Sequence, residues 1–287
     1  MSPKLTDYRG ARPTWCPGCG HYAVLGCLQQ ATYELGLPPE SVVVVSGIGC
    51  SGKIVQYYGG YGVHSLHGRT IPVATGIQIA NPDLTVIATG GDGDGYGIGL
   101  NHWVQAMRRN VNITYLVMDN HIYSLTTGQY SPTSRKGFIS KTTPKGSAEM
   151  HLRPLEIALT ARASFVAQGF SGNVKQLTQI IKAAIEHQGF SHVNIFSPCV
   201  TFNRINTYEW FKERIINLDE QDYKPHDRLE ALAKVMEADG VLTGIIFKED
   251  RPVFHNELAG VKDQPLTQTP ISLTEEQFKQ ILAEHMC

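Results

Sequence analysis

The chain has 287 residues, 25 of them basic and 26 acidic, for a net charge of −1. That length can bury a full core, as one large domain or one domain with an extension, and the balanced charge offers neither a basic stripe for nucleic acid nor an acidic tail. The polar start MSPKLTDYRG lacks a signal-peptide core, and no apolar run approaches the ~20 residues that span a bilayer, so a soluble, cytoplasmic protein is expected.

Residues 1–20 read as an irregular arm ending in WCPGCG. Val24, Leu28, Ala31 and Leu35 recur at helical spacing, with Gly36 as a stop. SVVVVS, residues 41–46, is a short strand with a wholly apolar centre, the kind buried on both faces. A stretch rich in Gly, Tyr and His covers 47–70, and residues 72–81 suit a helix closed by Asn81-Pro82. A strand (84–88), a helix (99–109) and a strand (113–118) follow. The polar segment 126–147 reads as a long loop, a length that is uncommon without a function. Helix, strand, helix and strand are expected over 154–162, 164–167, 173–187 and 192–196, and this alternation predicts a doubly wound parallel α/β sheet. Beyond 205 the pattern weakens. A helix with Leu229, Leu232, Val235 and Met236 precedes the strand-like VLTGIIF, and Thr274 with Gln277 three residues on resembles a capping box opening a last helix. Residues 1–204 are therefore expected to form the α/β domain, and 205–287 an extension packing on that domain or on a partner subunit.

The densest information lies in GDGDGYGIGLNHWVQAMRRNVNITYLVMDNHI, residues 91–122. Asp92 and Asn120 sit just past two apolar runs joined by a helical crossover. If both runs are parallel strands, the two side chains meet at one edge of one sheet. Their oxygens are hard ligands suited to a magnesium ion that also holds phosphates, and Gly91 and Gly93 let the backbone approach a diphosphate closely. Cysteine placement points to the same edge. Cys16 and Cys19 form a CxxC, Cys50 follows strand 41–46, and Cys199 follows strand 192–196. Four thiolates converging there suit zinc or an iron–sulfur cluster, and the residues alone leave both open, with His21 a possible zinc ligand that more readily flanks the first helix. Cys27, within a helix, and Cys287, at the chain end, are set aside as a packed small hydrophobe and a free terminal thiol. Gly47-Ile-Gly-Cys-Ser-Gly52 matches GxGxxG, but no Asp or Glu occurs from Ser41 to Pro82 to hold a ribose, which argues against a nicotinamide cofactor.

The GDG motif followed by an asparagine after 26 residues (94–119) resembles the thiamine diphosphate enzymes. WCPGCG, SGIGCSGK, LHGR, GGDGDGYGIG, MDNHIYSLTTGQYSPTS and SPC, in that order, are similar to the β subunit of 2-oxoacid:ferredoxin oxidoreductases over about residues 10–200. This resemblance implies a Mg2+ held by Asp92, Asn120 and the carbonyl of Ile122, and a [4Fe–4S] cluster on Cys16, Cys19, Cys50 and Cys199. It implies cofactor contacts from Ile48, Gly49, Cys50, Ser51, His67, Gly91, Gly93 and Asp94, with Ser124, Leu125 and Thr126 as further candidates. Lys53 and Arg69 are weaker candidates for a diphosphate or a substrate carboxylate. Thr127 stands where many relatives carry lysine, which clouds the substrate. The implied reaction is CoA-dependent oxidative decarboxylation of a 2-oxoacid, 2-oxoglutarate favoured over pyruvate by the TTGQYSPTS loop, with electrons leaving through the cluster to ferredoxin. No pyrimidine-binding half is evident in the chain, so an α subunit is expected to supply the activating glutamate, and no catalytic base is assigned here. A non-oxidative thiamine-dependent decarboxylase with structural zinc, or a non-catalytic electron-transfer subunit, are the competing readings.

Overall fold

The computed structural model describes residues 3–258, 260–261, 265–270 and 272–285. Cys287 lies outside these residues. Eight strands form one sheet: β1 (Val42–Ser46), β2 (Tyr61–His64), β3 (Thr85–Gly91), β4 (Thr114–Asp119), β5 (Phe165–Phe170), β6 (Ser191–Phe196), β7 (Ile216–Asn217) and β8 (Leu242–Lys248). Their order across the sheet is β2-β1-β3-β4-β6-β5-β8-β7. All neighbours are parallel except β5 and β8, which pair antiparallel with an irregularity between Val166 and Ala167. The expectation of a doubly wound, mostly parallel sheet is met, and residues past 205 add β8 to it directly beside β5.

Strand β1 shows why the sheet is covered on both faces. Val43 and Val45 enter one apolar core with Trp103, Met107 and Tyr115, while Val42 and Val44 enter a second with Leu28, Leu177 and Ile181. A strand with apolar side chains on both faces cannot sit at a solvated surface, so it takes a central position between helical layers. The helices are α1 (His21–Glu34), α2 (Ile54–Tyr57), α3 (Thr70–Ala80), α4 (Leu100–Arg109), α5 (Pro154–Thr160), α6 (Val174–Glu186), α7 (Tyr208–Lys212), α8 (Arg228–Glu237) and α9 (Glu275–His285). Helix α4 ends on Asn110 in the left-handed conformation, φ 57°, a usual stop for that residue type. At α9, the Thr274 N–H donates to Gln277 Oε1 and the Gln277 N–H to Thr274 Oγ1, at 2.9 and 3.2 Å.

The order β1-β3-β4-β6 matters most for function. These four parallel neighbours end in register, Ser46 beside Thr89, Gly91 beside Met118, and Asp119 beside Phe196. The loops leaving them, starting at Gly47, Asp92, Asn120 and Ser197, therefore emerge side by side along one edge of the sheet, where ligands of open α/β sheets bind.

Candidate active site

The loops after β1, β3 and β4, with His67 from the segment after β2, line a cavity of about 320 Å³. Ile48, Gly49, Cys50, Ser51, His67, Gly91, Asp92, Gly93, Asp94, Asn120, Ile122, Ser124, Leu125 and Thr126 all line it. The chain turns from β3 into a wide π-type helical turn, Gly93–Ile98, a feature frequent at functional sites. Gly93 is required there by space, because a Cβ would overlap the Tyr123 ring. Tyr123 also donates its hydroxyl to the Gly93 carbonyl at 3.0 Å.

Asp92 is 2 % exposed, and its Oδ2 accepts from Ser131 Oγ at 2.5 Å and Thr133 Oγ1 at 2.7 Å. Its Oδ1 receives no hydrogen bond from the described residues. Burial, and then the neighbouring Asp119 carboxylate, push the Asp92 carboxyl up to about 7. A cation beside it would relieve both penalties. Thr133 Oγ1 also lies 2.8 Å from Asp119 Oδ1. One hydroxyl proton cannot serve two carboxylates at once, so Thr133 donates to only one of Asp92 and Asp119. Asn120 Oδ1 accepts from Ile122 N at 3.1 Å and keeps a second lone pair, and the Ile122 carbonyl accepts nothing among the described residues. Two side-chain oxygens and a carbonyl make a hard donor set that fits Mg2+.

Asp94, the second acid of the GDGDG run, organises the opposite wall. Its Oδ1 accepts from Ile48 N at 3.0 Å, Gly68 N at 2.9 Å and His67 Nδ1 at 2.8 Å. One buried carboxylate thus pins the loop after β1 and the LHGR segment to the start of the π-type turn. Gly47 must lack a side chain, since a Cβ there would run into that carboxylate.

A second cavity, about 190 Å³, adjoins the first and is lined by Cys16, Cys19, Cys50 and Cys199. Cys50, Asn120, Ser124 and Leu125 belong to both walls. The N-terminal arm is fastened so that its cysteines arrive there. Trp15 Nε1 donates to the Cys50 carbonyl at 2.7 Å, Gly20 N donates to the Pro198 carbonyl at 3.3 Å, and His21 Nδ1 meets Ser197 Oγ at 2.7 Å. Gly18, φ 82°, turns the CxxC, closed by Cys19 N donating to the Cys16 carbonyl at 3.0 Å. Burial pushes the Cys19 thiol up to about 12, a hydrogen bond from the His21 backbone opposes this, and the other three cysteines add to the rise. Cys50 is likewise raised, by burial first. Thiols so raised are neutral until a metal replaces the proton. Among the described residues, no three His, Cys, Asp or Glu side chains are grouped closely enough for a single metal ion. Four cysteine thiols around one cavity are the ligand type used by both zinc and iron–sulfur clusters.

Residues 47–195 match the model of the thiamine pyrophosphate enzyme C-terminal TPP-binding domain, and residues 199–263 match that of the C-terminal region of the pyruvate ferredoxin oxidoreductase β subunit. A 2-oxoacid:ferredoxin oxidoreductase subunit β from Saccharolobus solfataricus is 41 % identical over 265 residues, 88 % of this chain and 85 % of the relative. The chain belongs to the β subunits of the 2-oxoacid:ferredoxin oxidoreductases. The 2-oxoglutarate synthase subunit KorB of Methanocaldococcus jannaschii is 34 % identical, covering 90 % of this chain and 96 % of its own. A solved 2-oxoglutarate:ferredoxin oxidoreductase from Magnetococcus marinus, with 2-oxoglutarate, coenzyme A and succinyl-CoA bound, superposes with a TM-score of 0.91 at 40 % identity, covering 99 % of this chain and 97 % of that one.

The three weaker substrate candidates in this β subunit fall on two parts of the molecule. Lys53 and Thr127 line the cysteine cavity, while Arg69 lines neither and donates to the Gly68 and Ile98 carbonyls, both at 3.3 Å. Thr127 has φ 75°, rarely adopted by a β-branched residue. Sequence reasoning had His21 only as a possible zinc ligand or helix flank, and missed Met118 and Tyr123, which line the first cavity with it, and Ser131 and Thr133, which hold Asp92. It also missed Asp119, Asn194 and Gln168. Asn194 Nδ2 reaches Gln168 Oε1 at 2.7 Å and Asp119 Oδ2 at 3.4 Å, a polar ladder across three adjacent strands. A polar residue inside an otherwise apolar strand, as in HVNIF and VAQGF, was the available signal. Burial holds the His21 imidazole down to about 4, so it is neutral near pH 7. Among the described residues, no helix is long and apolar enough to cross a membrane.

Proposed function

We propose that this β subunit holds thiamine diphosphate and Mg2+ in the Asp92 cavity and a [4Fe–4S] cluster on Cys16, Cys19, Cys50 and Cys199. With an α subunit it carries out the CoA-dependent oxidative decarboxylation of a 2-oxoacid, 2-oxoglutarate above all, and delivers the electrons to ferredoxin. The observation that carries this reading is the shared wall, because residues Cys50, Asn120, Ser124 and Leu125 face both cavities. When bound, thiamine diphosphate supplies the carbon nucleophile for decarboxylation, and the cluster supplies a one-electron exit.

The chain's own residues bind, orient and shield. Asp92 Oδ1, Asn120 Oδ1 and the Ile122 carbonyl would hold the cation, and Ser131 and Thr133 fix the Asp92 carboxylate through Oδ2, leaving Oδ1 available. Asp94 sets the positions of Ile48 and His67 on the opposite wall. Preference for 2-oxoglutarate is supported by the relatives named 2-oxoglutarate synthase subunits and by the Magnetococcus enzyme with 2-oxoglutarate bound. An α subunit is expected to bring the glutamate that activates the cofactor ring. The test is an assay of the reconstituted α–β enzyme with 2-oxoglutarate, pyruvate and branched 2-oxoacids, using CoA and ferredoxin or a viologen dye. Highest kcat/KM on 2-oxoglutarate, and no activity from this chain alone, is the expected result. Full activity without an α subunit would refute the division of labour, and a pyruvate preference would refute the substrate.

A further inference from the structure

We infer that Lys53 tunes the reduction potential of the cluster, by placing an unpaired positive charge on the wall of the cysteine cavity. This rests on the reading of the four cysteines given above. Lys53 closes the single 3-10 turn Ser51–Lys53, which Cys50 precedes. With three residues per turn, side chains at i and i+3 lie over one another, so Cys50 and Lys53 share a face of that turn. Lys53 lines the cysteine cavity and takes no part in the walls of the Asp92 cavity. It is partly buried, and among the described residues it has neither an ion pair nor a hydrogen bond.

A cluster with four thiolate ligands is anionic and gains one more negative charge on reduction. A nearby cation that no carboxylate compensates stabilises the reduced form more than the oxidised one, the more so where solvent is partly excluded. A lysine serving a diphosphate would instead line the Asp92 cavity. A lysine serving only solubility would be exposed.

The experiment compares Lys53→Met and Lys53→Arg in the assembled α–β enzyme. Iron content is measured, and the midpoint potential is followed by visible absorbance and electron paramagnetic resonance during an anaerobic dye-mediated titration. Lys53→Met should keep its iron and shift the oxidised-to-reduced ratio about tenfold, a potential lower by about 59 mV for a one-electron couple. Lys53→Arg should stay near the unaltered enzyme. An unchanged potential in Lys53→Met with its cluster intact overturns the inference, whether or not the KM for 2-oxoglutarate rises. Should Lys53→Met lose its iron, Lys53→Gln removes the same charge with a polar side chain and is titrated in its place. Loss of iron from both, but not from Lys53→Arg, would overturn it as well, since the lysine would then retain the cluster and not tune it. Zinc and no visible absorbance in the unaltered enzyme would instead overturn the reading of the cysteines.

Discussion

Asp94→Ala tests whether one buried carboxylate holds the cofactor cavity in shape. Asp94 Oδ1 is the common acceptor for Ile48 N, Gly68 N and His67 Nδ1. Truncation leaves the His67 imidazole free to turn to water, since its side chain is 41 % exposed, but strands the two backbone donors. A buried donor left unsatisfied costs about 1–3 kcal/mol, so two cost about 2–6 kcal/mol. The Ile48 donor is only partly buried, which places the expected loss in the lower half of that range. Even so it is a large share of a typical domain stability of about 5–15 kcal/mol. Asp94→Asn keeps an acceptor for both amides in the same volume and should recover part of the loss. Urea unfolding of the purified chain without cofactor reads the stability, and calorimetry of the α–β enzyme reads Mg2+-dependent thiamine diphosphate affinity. The expected outcome is a lower unfolding midpoint and at least tenfold weaker cofactor binding for Asp94→Ala, with Asp94→Asn between it and the unaltered protein. An Asp94→Ala protein matching the unaltered one in both measurements would refute the role assigned to this residue.

Asp92→Ala should abolish Mg2+-dependent thiamine diphosphate binding while sparing cluster iron, and Cys50→Ala should do the reverse; calorimetry and iron analysis on the same samples would expose inseparable sites by loss of both in either variant. Tyr123→Phe removes the 3.0 Å hydrogen bond to the Gly93 carbonyl and should cost about 1 kcal/mol in urea unfolding, with a several-fold weaker cofactor affinity. Cys27 is fully buried in the apolar core against Leu28 and Ile181, so Cys27→Ala should leave iron content unchanged; a fall in iron would add a fifth cysteine to the cluster's surroundings.

Much of the sheet was legible because strands β1 and β4 are buried on both faces and read as short, largely apolar runs. Strand β2 was not, since Tyr61, Gly62, Val63 and His64 are all exposed at the sheet edge and leave no periodic trace. The antiparallel pairing of β8 with β5 was unreadable for a different reason: VLTGIIF announces a strand but says nothing of its neighbour or direction. Asp92 and Asn120 stood out because hard oxygens directly follow apolar runs, and parallel pairing of β3 with β4 then brings them together. Ser131 and Thr133 stayed hidden inside the long loop. Their link to Asp92 spans 39 and 41 residues, and no local pattern encodes a contact of that length. The loop length, uncommon in a compact domain, was the one hint that it carried work.

If the thiamine cavity and the cysteine cavity act as one electron-passing unit, substrate bound in the first must reduce the cluster in the second. The visible spectrum of the anaerobic α–β enzyme reads this directly, once the enzyme is loaded with thiamine diphosphate and Mg2+ and given 2-oxoglutarate and CoA. Broad absorbance should bleach on substrate addition and return when ferredoxin is supplied, with no bleaching in Asp92→Ala. A colourless enzyme, or absorbance that dithionite bleaches and substrate does not, would contradict the coupling of the two cavities.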